Sequence, residues 1–293
     1  PFPNRSIVQF PDPTLALDEP DGLLAAGGDL TPDWLLTAYS FGIFPWFNDD
    51  NEPIYWWSPK VRGVLRPGQM RITRSLRKRI RSGVFQITTD TSFKAVIRAC
   101  ATAPRTDQQG TWITPRMQAA YDALFQKGIA HSVEVWQDNS LVGGLYGMAL
   151  GRMFFGESMF SAVPDASKVA FFYLQQQLAA RDYQLLDCQM MNPHLQTLGV
   201  QPMERDEFLV CLATNRNEPT DQGSYMAKSL FIAPTAINSG LTSVCLGLLL
   251  RALALPRVAC PPAVHVHGLP RRLQVVPHLF LSVSPGSLSW VRH

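Results

Sequence analysis

The stretch HSVEVWQDNSLVGGLYGMALGRMFFGE, from His131 to Glu157, decides the fold of this chain. Its apolar segments are interrupted by two groups of turn-forming residues, Gln137-Asp138-Asn139-Ser140 and Gly151-Arg152. Strand-length segments separated by such short turns are typical of neighbouring antiparallel strands. The predicted strands cover residues 131–136, 141–150 and 153–157.

A helix and a fourth strand are predicted to follow this stretch. Residues 167–181 have the length and apolar spacing of a helix, and residues 185–189 return to a strand pattern. Shorter helices are predicted at 32–40, 93–101 and 115–127. The order hairpin, strand, helix, strand indicates an α/β protein of the mixed α+β kind, in a domain of about 120 residues.

Composition divides the chain into segments. Residues 1–60 are rich in Gly, Pro and aromatic residues, and residues 61–100 are basic; together they are predicted to form a small N-terminal domain. The main domain is predicted at 101–215. Residues 222–293 contain six Lys and Arg and no acidic residue, so this tail is expected to be disordered or non-native.

Whole-chain composition indicates a soluble globular protein, since 46% of the 293 residues are hydrophobic and 17% are charged. The five cysteines form no C-x-x-C pair, which argues against a zinc ribbon or a disulfide framework. No signal peptide is visible, and the apolar run at 241–255 is shorter than the roughly 20 residues of a membrane helix. We therefore expect a cytoplasmic protein without a metal site or a membrane partner.

A basic helix is predicted in the segment between Pro53 and Thr89, which lacks acidic residues. Four cations of this helix, at spacings i, i+3, i+4 and i+7, share one face. Like charges on one face repel each other, so nucleic-acid phosphate is the natural compensating partner. A solvated helix face is the alternative interpretation. The four residues are Arg74, Arg77, Lys78 and Arg81.

Several tryptophans accompany this basic segment in the sequence. Aromatic planes stack on unpaired bases, whereas core packing is the alternative and is expected for one of Trp56 and Trp57. The basic helix and the tryptophans together indicate binding of a single-stranded RNA end next to a duplex. The residues concerned are Trp46, Trp56, Trp57 and Trp112.

The segment DCQMMNPH at 187–194 carries the candidate chemistry. Asp187 and Gln189 are predicted to lie on the same face of an extended strand end, with Asn192 and His194 close behind. A carboxylate beside an amide could orient a proton-carrying group without a metal or a covalent nucleophile. The alternative is a strand-end cap whose polar side chains are simply satisfied.

These segments resemble the leucyl/phenylalanyl-tRNA–protein transferases, bacterial enzymes of the N-degron pathway. The resemblance covers about residues 10–210 and consists of nine blocks in family order. The blocks are GLLAAGGDL (22–30), GIFPWF (42–47), WWSP (56–59), GTWIT (110–114), HSVEVW (131–136), LVGGLYG (141–147), GESMFS (156–161), ASK (166–168) and DCQMMNPH (187–194).

The resemblance implies a small N-terminal domain and a GNAT-type acyltransferase domain. It implies transfer of Leu or Phe, and less well Met, from aminoacyl-tRNA to the α-amine of proteins that begin with Arg or Lys. Asp187 and Gln189 would form the catalytic pair, Trp46 and Trp112 would hold the terminal adenosine, and the basic helix would bind the acceptor stem. No cofactor and a monomer are expected. The remaining substrate-binding residues would be Leu145, Phe154, Gly156, Glu157, Met159, Leu174, Leu178 and Asn192.

A mechanism follows as a hypothesis. Gln189 would accept a hydrogen bond from the incoming amine, and Asp187 would orient the Gln189 amide. Because Gln is not a strong base, the tRNA ribose hydroxyl or water could take the proton. Glu157 could attract the cationic acceptor or be a buried structural carboxylate. Leu174 and Leu178 stand where the family often has aromatic residues, which predicts a wider pocket that favours Phe.

Two other functions share some of these features. An acyl-CoA N-acetyltransferase of the same fold would carry an R-x-x-G-x-G/A turn for the pyrophosphate, and no such turn is found in the sequence. A non-catalytic tRNA-binding module would need the basic helix and the tryptophans but not Asp187 and Gln189.

Overall fold

The computed structural model describes residues 8–104 and 111–220 together with two strands near the C-terminus. The chain divides into two units, Pro1–Leu241 and Thr242–His293. In the second unit, the strands Phe280–Ser284 and Ser287–Val291 pair as an antiparallel hairpin. Residues 221–279, most of the segment for which disorder was predicted, lie outside the described residues.

The N-terminal region forms a small three-stranded antiparallel sheet of order β1-β3-β2. An aromatic cluster stabilises this region. The rings of Trp34 and Trp56 stack with their centroids 6.0 Å apart, and the Phe10 ring packs edge-on against both. Its elements are β1 (Leu23–Ala26), α1 (Pro32–Ser40), β2 (Phe44–Pro45) and β3 (Tyr55–Trp57). Helix α1 confirms the helix predicted at 32–40, and the GIFPWF block at 42–47 contains the short strand β2.

A seven-stranded sheet forms the body of the molecule, in the order β10-β4-β9-β8-β7-β6-β5. Its strands are β4 (Val61–Leu65), β5 (Gln86–Thr89), β6 (Ala130–Gln137), β7 (Ser140–Leu150), β8 (Met153–Ser161), β9 (Leu185–Asp187) and β10 (Gln201–Glu204). The predicted meander β6-β7-β8 is confirmed. The pair β8-β9 is parallel, as expected where a helix connects two strands, whereas the other pairs of this sheet are antiparallel.

Strand β4 lies between β9 and β10, so an early segment of the chain is paired on both edges with strands that come much later in the sequence. Gly63 makes two backbone hydrogen bonds to the segment that follows β9. Its N–H donates to the Gln189 carbonyl, and its carbonyl accepts the Cys188 N–H. A Cβ at Gly63 would lie 3.0 Å from the Met191 sulfur, so this close approach favours glycine. The basic segment 61–100 thus supplies two strands, β4 and β5, to the main sheet.

Helices cover both faces of this sheet and bury two hydrophobic clusters. One cluster unites α1, α3, α4 and α7, and the other unites α2, α5 and α6. These helices are α2 (Arg74–Arg81), α3 (Phe93–Thr102), α4 (Pro115–Gln126), α5 (Ala166–Ala179), α6 (Pro193–Thr197) and α7 (Arg205–Asn215). The result is a mixed α/β protein with a small N-terminal region and a sheet-and-helix core, as predicted. Within the described part of the chain, no helix combines the length and apolar character needed to cross a bilayer.

Candidate active site

The candidate site begins at the C-terminal end of β9, where Asp187 is completely buried. Arg62, also completely buried, lies on the neighbouring strand β4 and binds both carboxylate oxygens: Nη2 donates to Oδ2, and Nε donates to Oδ1 at 3.3 Å. Two charges removed from water are tolerated when they compensate each other with directed hydrogen bonds. The Arg62–Asp187 pair is therefore the electrostatic centre of this part of the sheet.

Arg62 also reaches the N-terminal region. Its Nη1 donates to the Gly42 carbonyl at 2.8 Å, and its guanidinium lies between the rings of Phe44 and Phe208, 4.9 and 4.5 Å from their centroids. Sequence analysis did not single out this residue, which lies in the segment 61–100 that was interpreted only as basic. The available signal was an Arg inside the otherwise uncharged strand sequence Val61–Leu65.

Gln189 lies just beyond the end of β9 in a left-handed conformation, with φ of 54°. The prediction that strand β9 extends to Gln189 and that Asp187 and Gln189 alternate on it is therefore wrong. Asp187 Oδ1 accepts the backbone N–H of Gln189 at 2.9 Å, an Asx-type turn that bends the chain. The carboxylate thus holds the backbone of Gln189, whereas the hypothesis had it hold the side-chain amide.

The amide of Gln189 instead approaches Glu157, with Nε2 3.3 Å from Oε1. The same carboxylate oxygen accepts a hydrogen bond from the Tyr39 hydroxyl at 2.7 Å, and the Tyr39 and Tyr121 hydroxyls are 2.6 Å apart. Both tyrosines are buried and were missed at the sequence level, since they come from α1 and α4, distant in the sequence. Four elements, α1, α4, β8 and the turn after β9, therefore meet around one carboxylate.

The pKa of Glu157 is raised to about 7, chiefly because burial disfavours the charged form. Hydrogen bonds from Tyr39 and Tyr121 lower this pKa, while the charge of Asp187 raises it and that of Arg62 lowers it. Although part of the Glu157 side chain is accessible, its carboxylate lies deep enough for burial to dominate. The site thus contains two different carboxylates. The charge of Asp187 is compensated by Arg62, and the pKa of Glu157 lies near neutral pH.

Several residues predicted for the aminoacyl pocket do come together. Leu145, Phe154, Leu174 and Leu178 are buried in one hydrophobic cluster, and the half-buried Met159 packs against it. Gly156 lies beside strand β9, where a Cβ would meet the Leu186 side chain at 3.4 Å. Phe154, Gly156 and Met159 lie on β8, the strand that carries Glu157, whereas Leu145 lies on β7 and both Leu174 and Leu178 lie on α5.

The tryptophans fall into two groups. Trp56 is buried and donates its indole N–H to the Gly27 carbonyl, which confirms that one of Trp56 and Trp57 is a core residue. Trp46 and Trp112 are half-buried and pack at the edge of the first cluster. A surface cavity is lined by residues 48–50, 101–102, 111, 113–115 and 118, which include sequence neighbours of both tryptophans but neither tryptophan itself.

The remaining predicted residues lie at the surface. Asn192 begins α6 and accepts the Leu195 N–H at 2.8 Å, so its side chain acts as a helix cap. The predicted basic helix is confirmed as α2, capped by Thr73. Its four cations, Arg74, Arg77, Lys78 and Arg81, are exposed. Within the described residues, no group of three or more His, Cys, Asp or Glu side chains could hold a metal ion.

Comparison with known proteins gives this geometry its context. The family described as Leucyl/phenylalanyl-tRNA protein transferase matches residues 64–213, and the N-terminal domain of the same family matches residues 28–60. The chain belongs to this family. The matched regions contain the elements that surround Glu157 and Asp187, apart from three residues of β4 that lie in the short gap between the two matches: Val61, Arg62 and Gly63.

Relatives named leucyl/phenylalanyl-tRNA–protein transferase support the same assignment. The one from Cellvibrio japonicus is 54% identical over 73% of this chain and 90% of its own length. The relative from an Azoarcus species is 59% identical over 68% of this chain and 84% of its own length. The relative from Shewanella baltica is 48% identical over 79% of this chain and 97% of its own length. Among solved structures, L-PGS from Bacillus licheniformis matches 53% of this chain and 50% of its own, with 13% identity and a TM-score of 0.33.

Membership of the transferase family makes this protein an aminoacyltransferase, which moves aminoacyl groups from tRNA to proteins. Such a reaction starts from an ester that is already activated. The enzyme must therefore chiefly bring an amine and an ester carbonyl together and manage one proton, tasks for which a positioned amide and a titratable carboxylate are suited.

Proposed function

We propose that this transferase moves Leu or Phe, and less well Met, from aminoacyl-tRNA to the α-amine of proteins that begin with Arg or Lys. The modified proteins would thereby enter N-degron degradation. The observation that carries the proposal is the contact between the Gln189 amide and Glu157, beside the Arg62–Asp187 pair. This cluster offers a positioned amide and a titratable carboxylate where two parts of the fold meet.

Glu157 is assigned the first proton transfer. An α-ammonium group has a pKa of about 8, so most of it is protonated and unable to attack at neutral pH. A carboxylate with a pKa of about 7 can take up that proton with a small free-energy difference. The neutral amine remains beside Glu157, hydrogen-bonded to the amide oxygen of Gln189.

The amine then attacks the ester carbonyl, and the bonds balance without a cofactor. The new C–N bond forms as the ester C–O bond breaks, and the ribose oxygen of the tRNA leaves. The second amine proton passes to this departing oxygen, which becomes a hydroxyl group. Gln189 and Asp187 act by orientation, since neither is required to accept a proton in this scheme.

The aminoacyl side chain is assigned to the cluster around Phe154. Leu145, Leu174 and Leu178 line the same cluster, and Met159 is flexible enough to move aside when the side chain enters. An apolar pocket distinguishes side chains by about 1–3 kcal/mol per methylene. Moderate selectivity among Leu, Phe and Met is therefore expected.

The tRNA is assigned to two surfaces. The exposed cations of α2 neutralise acceptor-stem phosphates, and the planes of Trp46 and Trp112 stack on the terminal adenosine. Base stacking of this kind contributes roughly 1–3 kcal/mol per base. The half-exposed state of both tryptophans leaves part of each indole available for such contact.

The test is transfer from charged tRNA to synthetic peptides, followed by mass measurement. Peptides that begin with Lys or Arg are incubated with Leu-tRNA, Phe-tRNA or Met-tRNA, alongside peptides of the same sequence that begin with Ala or carry an acetylated N-terminus. A mass increase of one Leu or Phe residue, confined to the free Lys and Arg termini, is the expected result. Equal modification of the Ala peptide would remove the proposed acceptor preference.

A second measurement tests the site itself. Single-turnover transfer by Gln189→Ala and Glu157→Gln is expected to fall at least tenfold with charged tRNA still bound. Full wild-type rates in both variants would exclude the proposed roles. The monomeric state and the cytoplasmic location stay predictions; sedimentation of the purified enzyme tests the first, and cell fractionation tests the second.

A further inference from the structure

We propose that Arg62 is a positioning residue of the transfer reaction, which fixes the turn of Gln189 relative to the loop that carries Trp46. This inference rests on the proposed roles of Gln189 and Trp46. Arg62 touches neither reacting group directly and acts through Asp187 on one side and Gly42 on the other. It therefore sets the distance between the amide that holds the amine and the plane that holds the tRNA end.

The connection to Gln189 runs through Asp187. Two donors of Arg62 hold the carboxylate, whose Oδ1 in turn accepts the Gln189 backbone N–H. The residue after Arg62 adds two backbone hydrogen bonds, to Gln189 and to Cys188. A left-handed conformation is costly for a residue other than glycine, so these contacts are what maintain it.

The connection to Trp46 runs through the start of its loop. Gly42, with φ of 72°, presents its carbonyl to Arg62 Nη1, and the Phe44 ring packs on the guanidinium. Trp46 comes two residues after Phe44. Its backbone is held in place by Trp57, whose indole N–H donates to the Trp46 carbonyl at 2.9 Å. One planar cation thus joins the two loops that carry the proposed substrate contacts.

A guanidinium is needed for this task, and an ammonium does not replace it. Arg62 donates in three directions from one rigid plane that is sandwiched between two rings. Lys retains the charge but has a single flexible donor centre and no flat face. The proposal therefore predicts that charge alone will not preserve activity at this position.

Arg62→Lys provides the first test, measured below its unfolding temperature. We expect the single-turnover rate at saturating Phe-tRNA to fall at least tenfold, because displacement by about 1 Å can cost two orders of magnitude. The dissociation constant for Phe-tRNA should change less than threefold, since phosphate and stacking contacts remain. A wild-type rate in a folded Arg62→Lys enzyme would overturn the proposal.

A second pair of variants keeps the proposal testable if Arg62→Lys fails to fold. Phe208→Leu removes one ring from the guanidinium, whereas Val96→Ala removes buried volume elsewhere in the same cluster. We expect Phe208→Leu to slow single turnover about threefold or more at saturation and Val96→Ala to leave it unchanged. Equal rates in the two folded variants would contradict a positioning role.

Gln189→Ala separates this inference from the proposed function. Loss of transfer in Gln189→Ala together with a wild-type rate in Arg62→Lys would remove the role of Arg62 alone. A wild-type rate in Gln189→Ala would remove the proposed site and the role of Arg62 with it.

Discussion

At the scale of single residues, the site contrasts two carboxylates, Asp187, which is completely buried, and Glu157, which is partly accessible. Asp187 has its charge compensated by Arg62, while Glu157 is held by the Tyr39 hydroxyl and the Gln189 amide. Hydroxyl and amide donors stabilise a carboxylate less than a guanidinium does, so burial dominates at Glu157. In the proposed mechanism, these different surroundings assign the two carboxylates to different tasks, orientation for Asp187 and proton transfer for Glu157.

The pKa of Glu157 predicts a pH-dependent rate. Single-turnover transfer should rise with pH through about 7, because the carboxylate must be ionised to accept a proton. The Tyr39 hydroxyl stabilises the ionised form, so Tyr39→Phe should raise this pKa and move the midpoint to higher pH. Tyr55→Phe, a change outside this network, should leave the midpoint in place; an unmoved midpoint in Tyr39→Phe would contradict the assignment.

The same pKa predicts a pH-dependent stability. A folded-state pKa raised from 4.5 to about 7 makes the folded protein bind a proton more tightly than the unfolded chain does. The associated stability is present below pH 4.5 and is lost as pH rises through 7, by roughly 3 kcal/mol at most. Urea titrations at pH 5 and pH 8 should show this loss in the wild type and a smaller one in Glu157→Gln.

At the scale of elements, periodicity and turn residues predicted the meander β6-β7-β8, the crossover helix α5 and the basic helix α2. These elements depend on local spacing, which a sequence displays directly. The end of β9 could not be predicted in this way, because Gln189 takes its backbone conformation from Asp187 and from Gly63, more than a hundred residues earlier. Tyr39 and Arg62 escaped prediction for the same reason, since only the fold brings them to Glu157 and Asp187.

Helix α2 carries a prediction about salt. If its four exposed cations neutralise about four phosphates, log K for tRNA should fall against log salt concentration with a slope of about −3 to −4. Arg77→Gln should reduce the magnitude of that slope by about one. Lys127→Gln, the same charge change at the end of α4, should leave the slope unchanged, and an equal effect of both variants would exclude α2 as the contact surface.

The cluster proposed as the aminoacyl pocket leads to a prediction about selectivity. Leu178 is a completely buried residue of α5 in the same cluster as Phe154, so a larger ring there must take space from a substrate side chain bound in this cluster. Leu178→Phe should therefore lower kcat/KM for Phe-tRNA relative to Leu-tRNA, by about tenfold or more. Competition between the two charged tRNAs for one Lys-starting peptide measures the ratio directly, and an unchanged ratio would place the side chain elsewhere.

At the scale of the whole molecule, the N-terminal region and the main sheet share one site. The N-terminal region contributes Tyr39 and the Gly42 carbonyl. The main sheet contributes Glu157, Asp187 and Arg62. Composition indicated the acid-free tail as a separate segment, and the fold could be predicted as mixed α/β from the order of its elements. How closely the early segment 61–65 is integrated into the sheet could not be predicted, because its strand partners follow more than 120 residues later.

Truncation tests which residues the enzyme needs. The last described contact of the first unit is between the Thr220 hydroxyl and the Gly151 N–H, at 2.7 Å. A chain of residues 1–221 should therefore keep the transfer rate of the full chain within about a factor of two. Its unfolding temperature should differ from that of the full chain by no more than about a few degrees. Residues 1–204, which lack α7 and the buried Phe208 and Leu212, should fail to fold. Loss of activity in the longer truncation would show that the tail contributes.

The position of β4 also constrains how the protein is made. A ribosome releases this strand early, yet its two neighbours are synthesised only when β9 and β10 emerge, more than 120 residues afterwards. At a synthesis rate of about 5–20 residues per second, the edges of β4 and the Arg62 side chain remain without their partners for roughly 6–25 seconds. During that interval the nascent chain exposes unpaired backbone and an uncompensated cation, which makes it a natural client for chaperones. Activity can therefore appear only after β9, β10 and α7 have emerged from the ribosome.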